Sequence, residues 1–188
     1  MGTLTYRDIV ELDLGTVLIA TMDWKSVVDG LKKLTSDARS GLLKKSEGAR
    51  WDGLNATVTR EFVRKTAKEL EDLYKEASSI SAILDDAYDQ LTAIQDKVNR
   101  TVNDAKVHGF KVSVSSDGTV HFDVPEGDDS RLAQVNKRLY GDSVNQEIRR
   151  AVTTDHLVKR ALAKVHGGDP SDAGHAQYHG LREITGKP

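Results

Sequence analysis

Two pairs of adjacent carboxylates, Asp85-Asp86 and Asp128-Asp129, are the side chains best suited to acid–base chemistry. General acid–base catalysis needs groups that face one substrate, whereas neighbouring residues on a helix point away from each other. The second pair lies in a turn after Pro125. The chain has no cysteine, and it contains neither a glycine-rich phosphate loop nor a nucleophile elbow. We therefore predict a protein that is not an enzyme and needs no cofactor.

Two histidines, His175 and His179, have the i, i+4 spacing that suits a zinc ion on a helix. No glutamate lies between them, no third ligand is apparent, and the surrounding sequence is rich in glycine. We therefore predict no metal site. His108, His121 and His156 are interpreted as structural.

Basic side chains concentrate in the C-terminal part of the chain. Residues 131–166 carry eight Lys/Arg against three Asp/Glu, although the whole chain has a net charge of −2. Arg149, Arg150, Lys159 and Arg160 form the predicted basic patch, which could contact nucleic-acid phosphates. We prefer a second interpretation, in which the patch docks against acidic residues of the same chain. Those residues are Asp85, Asp86, Asp89 and Asp96.

Two long amphipathic patterns surround a short segment that contains glycine. Apolar residues recur every three or four positions from Val17 to Ala38 and again from Val63 to Ala105. Such a seam needs a partner seam, which the chain can supply by folding back as an antiparallel helical hairpin. We predict helices over about 16–47 and from after Gly53 to about 106, with the turn at 48–54.

Local signals add detail at the helix ends. Thr5 is predicted to cap a short helix that reaches Leu12 and is broken by Gly15. Gly41-Leu42-Leu43 is the weakest point of the first long helix. Gly48 is predicted to end that helix in the left-handed conformation, and Asn55 or Thr57 to cap the second.

The second long helix is longer than the first, so part of its apolar row must pack against another part of the chain or another subunit. About fifty residues span roughly 75 Å, against roughly 45 Å for thirty. We predict an interaction seam there, covered by the short N-terminal helix, the C-terminal region or another subunit. The seam residues are Leu84, Leu91, Ile94 and Val98.

Residues 107–126 change to a period of two and predict a β-hairpin around Asp117-Gly118. Its apolar face should pack on a helix, because an isolated hairpin is only marginally stable. That face consists of Phe110, Val112, Val114, Val120, Phe122 and Val124.

The C-terminal third is predicted to be helical and then irregular. Residues 127–167 predict two helices, the first capped by Ser130 or Asp129 and the second by Ser143, with Gly141 between them. Residues 168–188 are interpreted as a flexible tail or linker. The predicted fold is mostly α, with domains at 1–106, 107–126, 127–167 and 168–188. No apolar run approaches the ~18 residues of a membrane span, and we expect no cleavable signal sequence.

The turn contains Trp51-Asp52-Gly53 between two amphipathic helices, in a chain without cysteine. In this it resembles the WXG-type family, the early-secretory-antigen-like substrates of type VII secretion, over about residues 1–106. The resemblance is closest to the longer actinobacterial members. It implies a secretion substrate, or the N-terminal targeting and dimerisation module of a secreted effector. It also implies a homo- or hetero-dimer through helical seams, recognition of Trp51 and Gly53 by the export ATPase, and secretion from the cytoplasm without a signal peptide.

One family feature is missing. The export motif of the family is a tyrosine followed four residues later by an acid. At that spacing the five tyrosines are followed by Val10, Ser78, Thr92, Val144 and Arg182. Residues 107–188 also lie outside the match. Two alternatives therefore stay open: a cytoplasmic coiled-coil adaptor, and nucleic-acid binding by the basic C-terminal helices.

Overall fold

The computed structural model describes residues 4–50, 52–128, 130–166 and 177–185. The described chain is mostly helical and has a two-stranded antiparallel sheet, as predicted. The helices are α1 (Tyr6–Val10), α2 (Leu14–Asp37), α3 (Lys44–Gly48), α4 (Leu54–Val107) and α5 (Arg131–His166). A π-helical segment (Ala38–Leu43), strands β1 (Lys111–Val114) and β2 (Val120–Asp123), and a 3-10 helix (Leu181–Thr185) complete the elements. Within these residues, no helix combines the length and apolarity that crossing a membrane requires.

The chain divides into two compact units. Unit 1 comprises Met1–Val17 and Ala87–Leu157, and unit 2 comprises Leu18–Asp86 and Val158–Pro188. Each unit combines segments that the sequence reading assigns to different domains.

Unit 1 has an apolar core to which α1, α4, α5 and the β-hairpin all contribute. The buried side chains are Ile9, Ile94, Val98, Val102, Ala105, Phe110, Phe122, Val144 and Ala151. The stripe of α4 in this unit therefore has its cover within the same chain.

The β-hairpin lies with most of its predicted apolar face on this core, but Val114 is exposed. Val112 pairs with Phe122 and Val114 with Val120, so these side chains share one face. The ring of Tyr140 from α5 lies 5.2 Å from that of Phe110 and 5.8 Å from that of Phe122, between centroids. Aromatic contacts at these distances add to the stability that burial supplies.

The hairpin turn is held by Asp117. Its carboxylate accepts hydrogen bonds from the Ser115 hydroxyl and, at 3.0 Å, from the Thr119 amide. These hydrogen bonds lower the pKa of the Asp117 carboxyl to about 2, and the bond from Ser115 has the largest effect. Gly118 has a φ of +85°, which favours glycine, and its carbonyl accepts the Arg7 amide at 3.3 Å. The turn therefore anchors α1.

The start of α2 corrects one expectation. Gly15 is helical and does not break the helix, because the Asp13 carboxylate accepts the amides of Gly15 and Thr16 at 3.0 and 3.2 Å. At α1 the predicted capping by Thr5 is confirmed, with a reciprocal Asp8 contact, but the helix ends at Val10.

Unit 2 joins α2, the π-helical segment and α3 to the first part of α4 through polar contacts. The contacts are Lys25–Asp85 at 2.7 Å, Thr35 Oγ1 to the Leu70 carbonyl at 3.1 Å, Arg39–Glu71, and Glu47–Arg64 at 3.2 Å. The π-helical segment includes Gly41, the predicted weak point. Gly48 does not adopt a positive φ, contrary to prediction. The chain instead leaves α3 at Ala49 in an extended conformation.

α5 is one continuous helix, so the predicted break at Gly141 is wrong. A helical glycine costs only about 1 kcal/mol, and the core holds Tyr140 and Val144 on either side of it. The predicted cap at Ser130 is confirmed by a 3.1 Å bond from the Ala133 amide. Ser143 is not a cap, because it lies inside the helix with its hydroxyl 3.4 Å from that of Thr101.

Residues 177–185 do not form the predicted flexible tail. Leu181 and Ile184 are buried in unit 2. The Leu181 amide donates to Asp86 Oδ2 at 2.8 Å, and the Tyr178 amide to Ser79 Oγ at 3.1 Å. Burial of two apolar side chains, with amide partners on α4, outweighs the polar composition of this segment.

Candidate interaction surfaces

The turn before α4 is an exposed site with a specific backbone geometry. Gly53 has a φ of +103°, a conformation that L side chains rarely adopt, and a Cβ there would have open space around it. Its carbonyl accepts the Thr57 amide at 3.2 Å, so Gly53 occupies the cap position that was predicted for Asn55 or Thr57. Trp51 lies outside the described residues.

Arg60 ties the two sides of this turn together, and sequence reasoning missed it. Its guanidinium donates to the Ser46 carbonyl at 3.1 Å and to the Ala49 carbonyl at 3.0 Å. A cation at the end of a helix satisfies carbonyls that lack partners and complements the helix dipole. The only sequence signal was a cation about two turns into α4, which is too common to be informative.

The predicted interaction seam is divided between the two units and is largely covered. Ile94 and Val98 are 1% and 0% exposed in the unit 1 core, so they have no surface left for another subunit. Leu91 in unit 1 and Leu84 in unit 2 are half-buried. Ile94 and Val98 therefore share a core with residues of the N-terminal helix and of α5, not with another subunit.

Large apolar side chains are exposed at other places, among them the first turns of α4. Leu54, Val58 and Phe62, which we call the outer face of α4, are 81%, 57% and 68% exposed. Their spacing of four residues aligns them along the helix. Ala56 and Ala67 are buried on the opposite side. Other exposed large apolar residues of unit 2 are Leu18, Ile19, Met22, Val27, Leu34, Leu42 and Leu73.

The basic residues of α5 do not make the predicted contacts with Asp85 and Asp96. Asp85 pairs with Lys25, and Asp96 with Arg100 at 3.4 Å. Arg150 pairs with Glu147 of its own helix at 2.6 Å, and Arg149, Lys159 and Arg160 are exposed. In unit 1, α5 contributes the apolar side chains Val144 and Ala151 to the core.

The carboxylates considered for acid–base chemistry have structural partners. Asp86 accepts the Leu181 amide, as described above, and Asp128 accepts the Ser130 amide at 3.0 Å. Hydrogen bonding to Ser130 lowers the pKa of Asp128. Asp129 lies outside the described residues.

The histidines belong to no metal-binding cluster in the described part of the chain. No cluster of three or more His, Asp or Glu with metal-binding geometry occurs there, and His175 falls outside it. His108 Nδ1 lies 2.9 Å from the Asp104 carbonyl oxygen. The Asp104 carboxylate also accepts the Tyr140 hydroxyl at 2.8 Å. Burial is the main cause that raises the pKa of the Tyr140 hydroxyl, and the hydrogen bond to Asp104 raises it further.

Comparison of the chain with protein-family models, curated proteins and solved structures finds no match. The exposed surfaces of the chain are therefore the basis for a functional proposal.

Proposed function

We propose that the chain is a non-enzymatic association module of the type VII secretion kind. Unit 2 is a helical hairpin that pairs with another hairpin through its apolar surface and presents the turn at Gly53 to the export machinery. The observation that carries this proposal is the outer face of α4. Three large apolar side chains there point away from the buried side of the helix.

The polar contacts within unit 2 support the hairpin. They join Lys25 to Asp85 at one end and Glu47 to Arg64 at the other. Residue numbers rise along the first segment as they fall along α4, which is the pattern of antiparallel packing. The Arg60 contacts fasten the two segments beside the turn.

The outer face of α4 supports the association. A large apolar side chain gains roughly 1.5–3 kcal/mol when it is fully buried. Clustered apolar side chains on a helix that is otherwise charged are typical of helix–helix interfaces. The Lys65–Glu69 ion pair continues this side of the helix at 3.8 Å and could set the register of a partner.

The first test is the mass of the full chain in solution, measured by light scattering over a range of concentrations. We expect a dimer. Its dissociation constant should increase by at least about tenfold in Phe62→Glu, because a charge replaces a ring that the dimer interface would bury. Val107→Glu is the matched control, since Val107 is an exposed apolar residue of unit 1. A monomer at all concentrations, or equal effects of the two substitutions, would refute hairpin pairing.

The second test separates export from the adaptor alternative, which uses the same apolar surface inside the cell. The chain and its variants are expressed in a bacterium with type VII machinery, and secreted protein is measured. Gly53→Asp should abolish export and leave helix content unchanged. Gly127→Asp is the matched control, because Gly127 also has a positive φ (+80°) and open space around it. Retention of the parent chain in the cell would favour the adaptor.

A further inference from the structure

A groove in unit 1 is lined almost entirely by hydrogen-bonding side chains, and we propose that it binds a phosphate group. Its volume is about 300 Å³, and its lining residues are Gln90, Gln146, Arg149, Arg150, Thr153 and Thr154. None of these six side chains is a carboxylate, and two are guanidinium groups. This site is independent of the proposed hairpin association.

The helical spacing of α5 brings the donors together. Arg149 and Arg150 follow Gln146 by three and four residues, so all three project toward one side of the helix. The Arg149 guanidinium and the Gln146 amide have no hydrogen-bond or ion-pair partner among the residues described, and both residues are exposed. The unused donors of Arg149, beside an Arg150 whose charge is balanced by Glu147, favour an anionic ligand.

Arg150 is held in place at the groove. Glu147 is buried, and its carboxylate accepts a bond from Arg150 Nη1 at 2.6 Å, whereas half of the Arg150 side chain stays exposed. A buried carboxylate needs such a partner, so this pair is costly to break. The pair therefore fixes the guanidinium without occupying all of its donors.

The two threonines shape the groove rather than donate into it. The Thr153 hydroxyl donates to the Arg149 carbonyl at 2.9 Å, and the buried Thr154 hydroxyl donates to Gln90 Oε1 at 3.0 Å. Each hydroxyl has a single hydrogen, which these bonds use. Recognition thus falls to Arg149, Arg150 and Gln146.

A phosphate group fits these donors best. The planar guanidinium fork matches two phosphate oxygens at once, and a side-chain amide can donate to a third. The group could belong to a small phosphorylated molecule or to a nucleic-acid backbone. Both share this chemistry, and experiment can distinguish them.

The test is a titration of the full chain with inorganic phosphate, followed by NMR, against chloride at equal ionic strength. We expect saturable shifts centred on the groove. Arg149→Gln should weaken binding by about tenfold or more, the value of a lost charge-assisted bond. Arg138→Gln is the matched control, because Arg138 is an exposed arginine of α5 without a partner among the described residues. Circular dichroism verifies that both variants keep their helix content.

Two further titrations identify the source of the phosphate. Glycerol phosphate that binds at least as tightly as inorganic phosphate indicates a small ligand. A short DNA duplex that binds more tightly than either small molecule indicates a backbone phosphate, provided that Arg149→Gln lowers its affinity more than Arg138→Gln does. Absence of saturable binding, or equal losses in Arg149→Gln and Arg138→Gln, would overturn the proposed site.

Discussion

Replacement of Ile94 by alanine tests whether the far part of α4 is covered within one chain. Ile94 belongs to the unit 1 core together with Ile9, Phe110 and Val144. The substitution removes the side chain beyond Cβ and leaves a cavity that neighbours from several elements can fill only partly. Such changes cost about 2–5 kcal/mol. Since small domains are stable by only about 5–15 kcal/mol, we expect a large loss of stability.

The assay is urea unfolding followed by far-UV circular dichroism, at two protein concentrations about a hundredfold apart. A cover within the chain predicts the same loss of unfolding free energy at both concentrations. A cover supplied by another subunit predicts a larger loss at the higher concentration, where the parent would be associated. Leu91→Ala is the control, because Leu91 lies on the same helix and in the same predicted seam but is half-buried.

The expected loss at Leu91 is smaller than at Ile94, because a partly exposed side chain leaves less of a cavity. Two results would refute the reasoning. One is a difference between Ile94→Ala and the parent that grows with protein concentration. The other is an equal loss at Leu91 and Ile94.

Two further predictions concern the β-hairpin turn. Gly118→Ala should lower the melting temperature much more than Gly127→Ala, because its Cβ would lie 2.9 Å from Thr5 Cβ and displace α1. At Gly127 only the backbone strain of about 1–2 kcal/mol applies, and equal melting temperatures would contradict the α1 anchor. For Asp117, the folded pKa of about 2 lies below its ordinary value. Its contribution to stability is therefore present above the unfolded pKa of about 3.9 and is lost as the pH falls through about 2. Melting temperatures measured across this range should fall more steeply in the parent than in Asp117→Asn, and parallel curves would contradict the Asp117 contacts.

Where local signals were strong, the sequence predicted the elements closely. The period of α4, the alternation of the β-hairpin and the caps at Thr5 and Ser130 all depend on residues a few positions apart. The errors occur where tertiary contacts outweigh a local signal. Gly141 has a weak preference to end a helix, and the packed residues around it override that preference.

The candidate surfaces were harder to predict, because exposure depends on what lies across from a residue. Phe62 and Ile94 belong to similar apolar patterns on one helix, yet one is exposed and the other is in a core. Similarly, the basic residues were recognised from composition, but the pairing of Arg150 with Glu147 and the donors beside Arg149 required coordinates.

The sequence by itself determined the helical class of this protein, the position of the hairpin strands and the glycine turn before the longest helix. These features follow from periodicity and from backbone preferences, which act over a few residues. Only the tertiary structure decided which apolar rows are covered and which are free. Ile94 lies in one core with Ile9 and Ala151, residues far apart in the chain, whose proximity no local pattern records.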